Sequence, residues 1–122
     1  MKRIAMLFAA ALVATFPALA DPPSPTAKAE MAKIGQMAGR WKGGGWVFTQ
    51  AGRREFESTE LMEWRLDGYA LVVEGRHTDA KTGELTHHAI ATIAWDEKAG
   101  EYRFLSALNT GMTGAYPAKL EG

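Results

Sequence analysis

The sequence predicts an all-β fold: an antiparallel up-and-down meander that forms a small, partial β-barrel, preceded by one short N-terminal helix. Three observations support this prediction. Residues 53–66 alternate between apolar and polar side chains, as a half-buried strand does. Other strand-like segments follow, and tight turn signals such as Asp67-Gly68 separate them. No helical pattern lies between the strands, so hairpins connect them rather than the helical crossovers of a parallel sheet.

The first twenty residues have the pattern of a secretory signal peptide. The basic pair Lys2-Arg3 precedes the largely apolar segment Ile4–Phe16, and Ala18-Leu19-Ala20 matches an A-x-A cleavage site. The apolar segment is short for a membrane span. We therefore expect cleavage after Ala20 and a mature chain that begins at Asp21. It would act in the periplasm or as a secreted protein, without a stable membrane span.

Composition excludes several classes of function. Lys and Arg total 14 residues, Asp and Glu also total 14, and the chain has no cysteine. No basic cluster resembles a nucleic-acid interface, so we predict no nucleic-acid partner. Without cysteine there are no disulfides, no thiol nucleophile and no thiolate metal site, so a packed core must stabilise this exported chain.

The predicted helix begins close to the cleavage site. Residues 21–25 include three prolines and read as a flexible linker. Ser24 is a suitable N-cap, and a proline follows it at the first helical position. Apolar residues then recur at helical spacing, which predicts a helix over Pro25–Ala38. Gly39 stands where a left-handed residue would end the helix.

Five strands are predicted after the helix, and a sixth begins within residues 109–114. The five cover residues 41–50, 53–66, 69–79, 85–95 and 102–108. The second strand has the clearest pattern, with one face formed by Phe56, Ser58, Glu60, Met62, Trp64 and Leu66. Residues 116–122 do not alternate, and no strand is predicted there.

Such a meander leaves two strand edges unpaired. Open edges invite association with another chain, whereas a closed ligand-holding barrel needs about eight strands. Either oligomerisation closes the barrel or the natural chain extends beyond Gly122. We favour the second expectation, in which the barrel domain over residues 26–122 is incomplete.

A family resemblance starts at the junction between the helix and the first strand. Gly39-Arg40-Trp41 resembles the G-x-W signature of calycin barrels, which include the lipocalins. The chain is also similar to a set of exported bacterial lipocalin-like proteins of unknown function, distantly related to nitrobindin and fatty-acid-binding barrels. That similarity lies in Gly43–Trp46, Glu60, Leu66–Gly75, Ala89–Ala91, Trp95-Asp96 and Gly100–Tyr102.

This resemblance implies several structural features. It implies that Trp41 is buried across the closed end of a barrel and that Gly39 lets the chain reverse into the first strand. It also implies later strands that the sequence lacks. The haem-binding histidine of nitrobindin has no counterpart here, so we predict no haem and no other cofactor.

The apolar strand faces supply the candidate ligand-binding residues. They are Glu60, Trp64, Phe56, Met62, Leu71 and Tyr102. Glu60 is notable because a carboxylate among apolar neighbours must be paired, hydrogen-bonded or protonated. It either anchors a ligand inside the barrel or is a structural acid held by an arginine or by backbone donors.

Three histidines raise the question of a metal site. His87 and His88 are adjacent on a strand and must point to opposite faces, so only one can share a face with His77. Two imidazoles and a carboxylate would be a minimal transition-metal set. No motif supports such a set, so we predict solvated histidines and no metal. No spacing indicates a catalytic residue either.

Together these features predict a periplasmic, lipocalin-like protein that binds a small hydrophobic or amphipathic ligand in its barrel. The alternative is a structural or interaction protein of the cell envelope, with a solidly packed barrel and no ligand. Its open strand edges would meet a partner or form a homodimer. An enzyme is the least favoured of the three classes.

Overall fold

A computed structural model describes residues 21–121, and the predicted signal peptide over residues 1–20 lies outside this range. One helix precedes six strands: α1 is Pro25–Ala32, β1 Gly39–Thr49, β2 Gly52–Arg65, β3 Ala70–Asp79, β4 Leu85–Asp96, β5 Glu101–Leu108 and β6 Thr113–Ala118. The strands form one antiparallel sheet in chain order, which confirms the predicted meander. Within residues 21–121 the sheet is open at β1 and β6, and the closed barrel stays a prediction.

The start of α1 agrees with the prediction and its end does not. The Ser24 hydroxyl accepts a hydrogen bond from the backbone N–H of Ala27 at 3.0 Å, and Pro25 takes the first helical position. The predicted end at Ala38 is wrong, because α1 stops at Ala32 and a 3₁₀ turn over Gly35–Met37 follows. The last backbone bonds already span three residues, so the chain tightens before it reaches Gly35.

The sheet has an inner face, which carries α1, and an outer face. Leu71 of β3 lies on the inner face, opposite Trp64 of β2 and Ile93 of β4. The predicted alternation of β2 is confirmed from Phe56 to Trp64, since all the even-numbered residues of this stretch share the inner face with Trp64.

The predicted place of Leu66 on that face is wrong. Its φ angle is +53° and its side chain is 74% exposed. The strand ends at Arg65, and Leu66 begins the turn that continues through Asp67 and Gly68, all with positive φ. The position of the Asp67-Gly68 turn is thereby confirmed, but the predicted two-residue hairpin is wrong, because four residues, 66–69, connect β2 to β3. This longer turn takes Leu66 away from the sheet.

A small hydrophobic core joins α1 to one end of the inner face. Its buried members are Met31, Ile34, Leu71, Val73, Ala91, Ile93 and Tyr102. The Tyr102 hydroxyl donates a hydrogen bond to the Glu30 carbonyl at 2.7 Å, and burial raises the pKa of this phenol. The edge of the Trp95 ring packs against Tyr102. The helix therefore covers the end of the sheet where β2 turns into β3 and leaves the other end open.

The last strand corrects another prediction. Residues 116–118 were expected to lie outside any strand, yet they belong to β6. Tyr116 pairs with Phe104 of β5, and the ring centroids are 6.5 Å apart. Pro117 is tolerated because β6 is an edge strand, where a missing N–H costs no ladder bond. An edge strand exposed on both faces does not need alternating side chains, so its pattern is weak.

The helical part of residues 21–121 is short. α1 has eight residues, and no helix in this range combines the length and apolar character needed to cross a membrane.

Candidate functional site

Three flat rings lie side by side across β2, β3 and β4 at the open end of the inner face; the first two are stacked, and the third is tilted by 33°. Phe56 lies 4.8 Å from His77 between ring centroids, with the planes only 10° apart. His77 lies 4.9 Å from His87, its direct partner in the β3–β4 pairing. We call these three side chains the ring column. His77 and His87 are half-buried rather than fully solvated, because their ring neighbours cover part of each side chain.

Glycine on β1 makes room for the ring column. Gly45 lies opposite Phe56, and a Cβ atom there would sit 2.8 Å from Cζ of the Phe56 ring. Only a residue without a side chain fits beneath this ring. Gly43 and Gly75 also lack side chains on the inner face, and no atom would crowd a Cβ at Gly43 within 4 Å. The glycines thus leave open space beside the rings.

A cleft of about 360 Å³ lies along the ring column. Val47, Phe56, His77 and His87 line it, and the Arg54–Asp79 ion pair closes its rim. This volume falls at the small end of the range of ligand pockets, roughly 300–1,000 Å³.

Asp79 fixes the rim of the cleft through both carboxylate oxygens. Its Oδ1 accepts hydrogen bonds from the backbone N–H groups of Lys81 and Thr82, at 2.9 and 3.0 Å. Its Oδ2 accepts from Nε and Nη2 of Arg54, at 3.1 and 2.5 Å. The Thr82 N–H, the Arg54 guanidinium and the Lys81 N–H lower the pKa of Asp79 to about 2. The charges of Arg54 and Asp79 therefore compensate each other.

Glu60 lies on the inner face of β2, between the ring column and the helix-covered core. It is half-buried, opposite Trp41 of β1 and Gly75 of β3. Within residues 21–121 its carboxylate makes no side-chain hydrogen bond or ion pair, so the donors expected for a structural acid are not found there. A smaller cleft of about 240 Å³ opens beside it, lined in part by Trp41, Gly43 and Ser58.

Trp41 is exposed rather than buried, which corrects the prediction drawn from the G-x-W signature. The side chain is 52% exposed because β1 is an edge strand and no described strand lies over it. Its indole N–H donates a hydrogen bond to the Met37 carbonyl at 2.7 Å, which fixes the ring beside the junction. Gly39 has a φ of +132°, a conformation that favours glycine at this junction. The prediction that it ends the helix is wrong, because α1 stops at Ala32 and Gly39 is the first residue of β1.

The other predicted ligand-binding residues lie near α1. Leu71 and Tyr102 are 0% and 4% exposed in the core, and Met62 packs against them. Trp64 also packs on the core and lines a separate, shallow cleft of about 570 Å³ between α1 and the turn after β2. The structure thus separates the predicted set, and only Phe56 and Glu60 lie at the open end.

The sequence placed His77 and His87 across one hairpin but assigned them no role. His88 lies on the outer face, where its ring contacts Glu74 at 2.8 Å, so the predicted opposite orientation of His87 and His88 is confirmed. In the described part of the chain, no three His, Cys, Asp or Glu side chains are placed to hold a metal ion.

We expect His77 to stay neutral to a lower pH than an ordinary histidine. Burial lowers its pKa below 6.5, the neighbouring His87 lowers it further, and the Glu60 charge opposes both. Because the unfolded state binds the proton more readily, stability should fall as the pH drops through 6.5 towards the folded pKa. A titration of the His77 ring signals by NMR checks the value. Glu60→Gln should lower the pKa of His77 further, because it removes the opposing negative charge. An increase would contradict the proximity of these groups.

The described residues define an open antiparallel meander with a ligand-sized cleft on the face that carries the helix. No protein-family model, no curated protein and no solved structure matches this chain. Its candidate site therefore rests on geometry and on the resemblance of its sequence motifs.

Proposed function

We propose that this chain binds a small hydrophobic or amphipathic molecule in the cleft beside the ring column. The observation that carries the proposal is the column itself, in which Phe56, His77 and His87 form one side of a 360 Å³ opening. Flat rings next to unfilled space offer a surface on which an apolar molecule loses water and gains dispersion contacts.

The electrostatics of the cleft favour an apolar occupant. Burial lowers the pKa of His77 and so favours its neutral form, and Arg54 and Asp79 neutralise each other at the rim. Most of the lining is therefore uncharged, as in small-molecule sites that use a few polar groups for orientation. The proposed contact residues are Phe56, Glu60, His77 and His87, while Met62, Trp64, Leu71 and Tyr102 support the sheet from the covered end.

The fold class and location of the protein belong to the same proposal. The Gly39-Arg40-Trp41 junction and the meander support a calycin-like barrel. The N-terminal pattern supports export and removal of residues 1–20, so that the ligand would be met in the periplasm or outside the cell.

The test compares two phenylalanines on opposite faces of the sheet. Phe56→Ala should weaken the binding of Nile red, a neutral apolar dye, by about tenfold, since a stacked ring and its buried area contribute more than 1 kcal/mol. Phe48→Ala is the matched control, because Phe48 is 75% exposed on the outer face. Fluorescence titration measures both. No dye binding by the parent chain, or equal losses in the two variants, would refute this site.

A second function is favoured by the open edge of β1. This strand has eleven residues, and its outer face exposes Trp46 and Phe48. An unpaired edge with exposed aromatic side chains is suited to pairing with another strand. A chain that binds no dye but dimerises with rising concentration in sedimentation experiments would support this interaction role.

A further inference from the structure

We infer that the ligand is an amphipathic organic cation, an alkyl or aromatic amine whose charged group lies between Glu60 and Trp41. This inference rests on the proposed function, since it names the class of molecule that the inner face would bind. Its basis is the charge balance of the open end, the position of the Trp41 ring, and the empty space beside Glu60.

The charge balance leaves one negative group without compensation. On the inner faces of β1 to β4, the Asp, Glu, Lys and Arg side chains are Arg54, Glu60 and Asp79. Arg54 donates two hydrogen bonds to the Oδ2 atom of Asp79, and the two charges compensate each other. Glu60 has no such partner within residues 21–121. The inner face therefore presents one uncompensated carboxylate to whatever enters the cleft.

The Trp41 ring supplies a second element of cation recognition. It lies directly opposite Glu60 in the β1–β2 pairing, about 5 Å away between Cβ atoms in such pairs. The hydrogen bond to the Met37 carbonyl holds the indole in place, and half of its surface is exposed. An ammonium group gains from the face of a tryptophan as well as from a carboxylate, and quaternary amines are bound in this way.

A glycine on the neighbouring strand gives a charged group access to Glu60. Gly75 on β3 lies directly opposite Glu60, and a Cβ there would lie 3.9 Å from the Glu60 Oε1 atom. On the side of β1, a cleft of about 240 Å³ has room for a trimethylammonium-sized group. This cleft is lined by Trp41, Lys42, Gly43, Gly44, Ser58 and Glu60.

The ring column lies close enough to hold the apolar part of the same molecule. Phe56 and Glu60 are four residues apart on one face of β2, which corresponds to about 13 Å along a strand. His77 lies opposite Ser58, the inner-face residue between Phe56 and Glu60, so the ring column and the carboxylate are neighbours on this face. A molecule with a cationic head and an apolar tail of about 10 Å would span both.

Other ligand charges fit this surface less well. An anion would be repelled by Glu60, and Arg54 is already paired with Asp79. Lys42 lines the smaller cleft but pairs with Thr59, so its side chain belongs to the outer face. A neutral tail over Glu60 would strip water from a carboxylate without replacing its hydrogen bonds, which is unfavourable. A cationic group is attracted to Glu60 rather than repelled, and it replaces the hydration that the carboxylate loses.

The test uses three probes with the same ten-carbon tail, each displacing Nile red below its micellar concentration. Decyltrimethylammonium should bind about tenfold more tightly than 1-decanol, and decanoate should bind most weakly. Glu60→Gln should remove the preference for the cation and leave the affinity for 1-decanol unchanged. Trp41→Leu should reduce the preference by about threefold. Glu57→Gln is the control, since Glu57 is exposed on the outer face of the same strand.

The outcomes separate the inference from the proposed function. Equal binding of the cation and the alcohol, or a preference that survives Glu60→Gln, would overturn the inference while apolar binding still stands. If neither Nile red nor any decyl probe binds, the proposed function fails and the inference falls with it.

Discussion

Leu71→Ala is expected to lower the free energy of unfolding by about 2–5 kcal/mol. Leu71 is 0% exposed and lies opposite Trp64 and Ile93, at the centre of the cluster that α1 covers. Truncation removes buried methyl groups and leaves a cavity beneath the helix. Since small domains have a total stability of about 5–15 kcal/mol, this single change would bring the sheet close to unfolding.

Urea unfolding followed by tryptophan fluorescence measures this loss. The matched control is Leu105→Ala, because Leu105 is 51% exposed on the outer face and its truncation should change stability by no more than about 0.5 kcal/mol. Hydrogen exchange should show faster opening of α1 in the Leu71 variant than in the control. Similar losses in the two variants would mean that the inner face is not the core.

The strands and their faces were predictable because the information is local. Alternation from Phe56 to Trp64 determines which side of β2 is inside, and Asp67-Gly68 can adopt the positive φ angles that its hairpin needs. The cap at Ser24 is likewise encoded within a few residues. Alternation at every second residue is typical of β-strands, so the all-β fold class could be predicted from the sequence.

The wrong predictions concern residues whose structure depends on contacts with the rest of the sheet. The end of α1 depends on how the chain reaches the core, and propensity alone does not contain this information. Tyr116 joins a strand because β5 offers a free edge, although its own segment has a weak pattern. Trp41 is exposed because β1 is an edge strand of the described sheet, which the local sequence does not indicate.

The candidate site was predictable in part. The sequence placed Phe56 and Glu60 on the inner face, and the position of His77 opposite His87 follows from the hairpin between them. The stacking of Phe56 on His77 depends on Gly45, which leaves space beneath the ring from a third strand. That arrangement needs the register of β1 against β2, and register over long strands cannot be read from alternation alone.

Asp79→Ala is expected to destabilise the sheet at neutral pH and to change how its stability responds to acid. The substitution removes the Oδ1 atom that accepts hydrogen bonds from the backbone N–H groups of Lys81 and Thr82, together with the counter-charge of Arg54. Arg54→Met should cost less, because Asp79 would then keep its bonds to the turn. Asp79→Asn should fall between them, since an amide oxygen still accepts from the turn but carries no charge.

The pH dependence identifies the carboxylate as the cause. The folded pKa of Asp79 is about 2, against an ordinary value of 3.8, so the unfolded chain takes up the proton first as the pH falls. The stabilisation is complete above 3.8 and is lost between 3.8 and about 2. The difference in unfolding free energy between the parent chain and Asp79→Ala should therefore be constant near neutrality and shrink across this interval. Urea unfolding at about pH 7, 5, 3.5 and 2.5 measures this difference. A difference that stays constant down to pH 2.5 would show that the turn holds without the charge, and that the rim of the cleft does not depend on Asp79 being ionised.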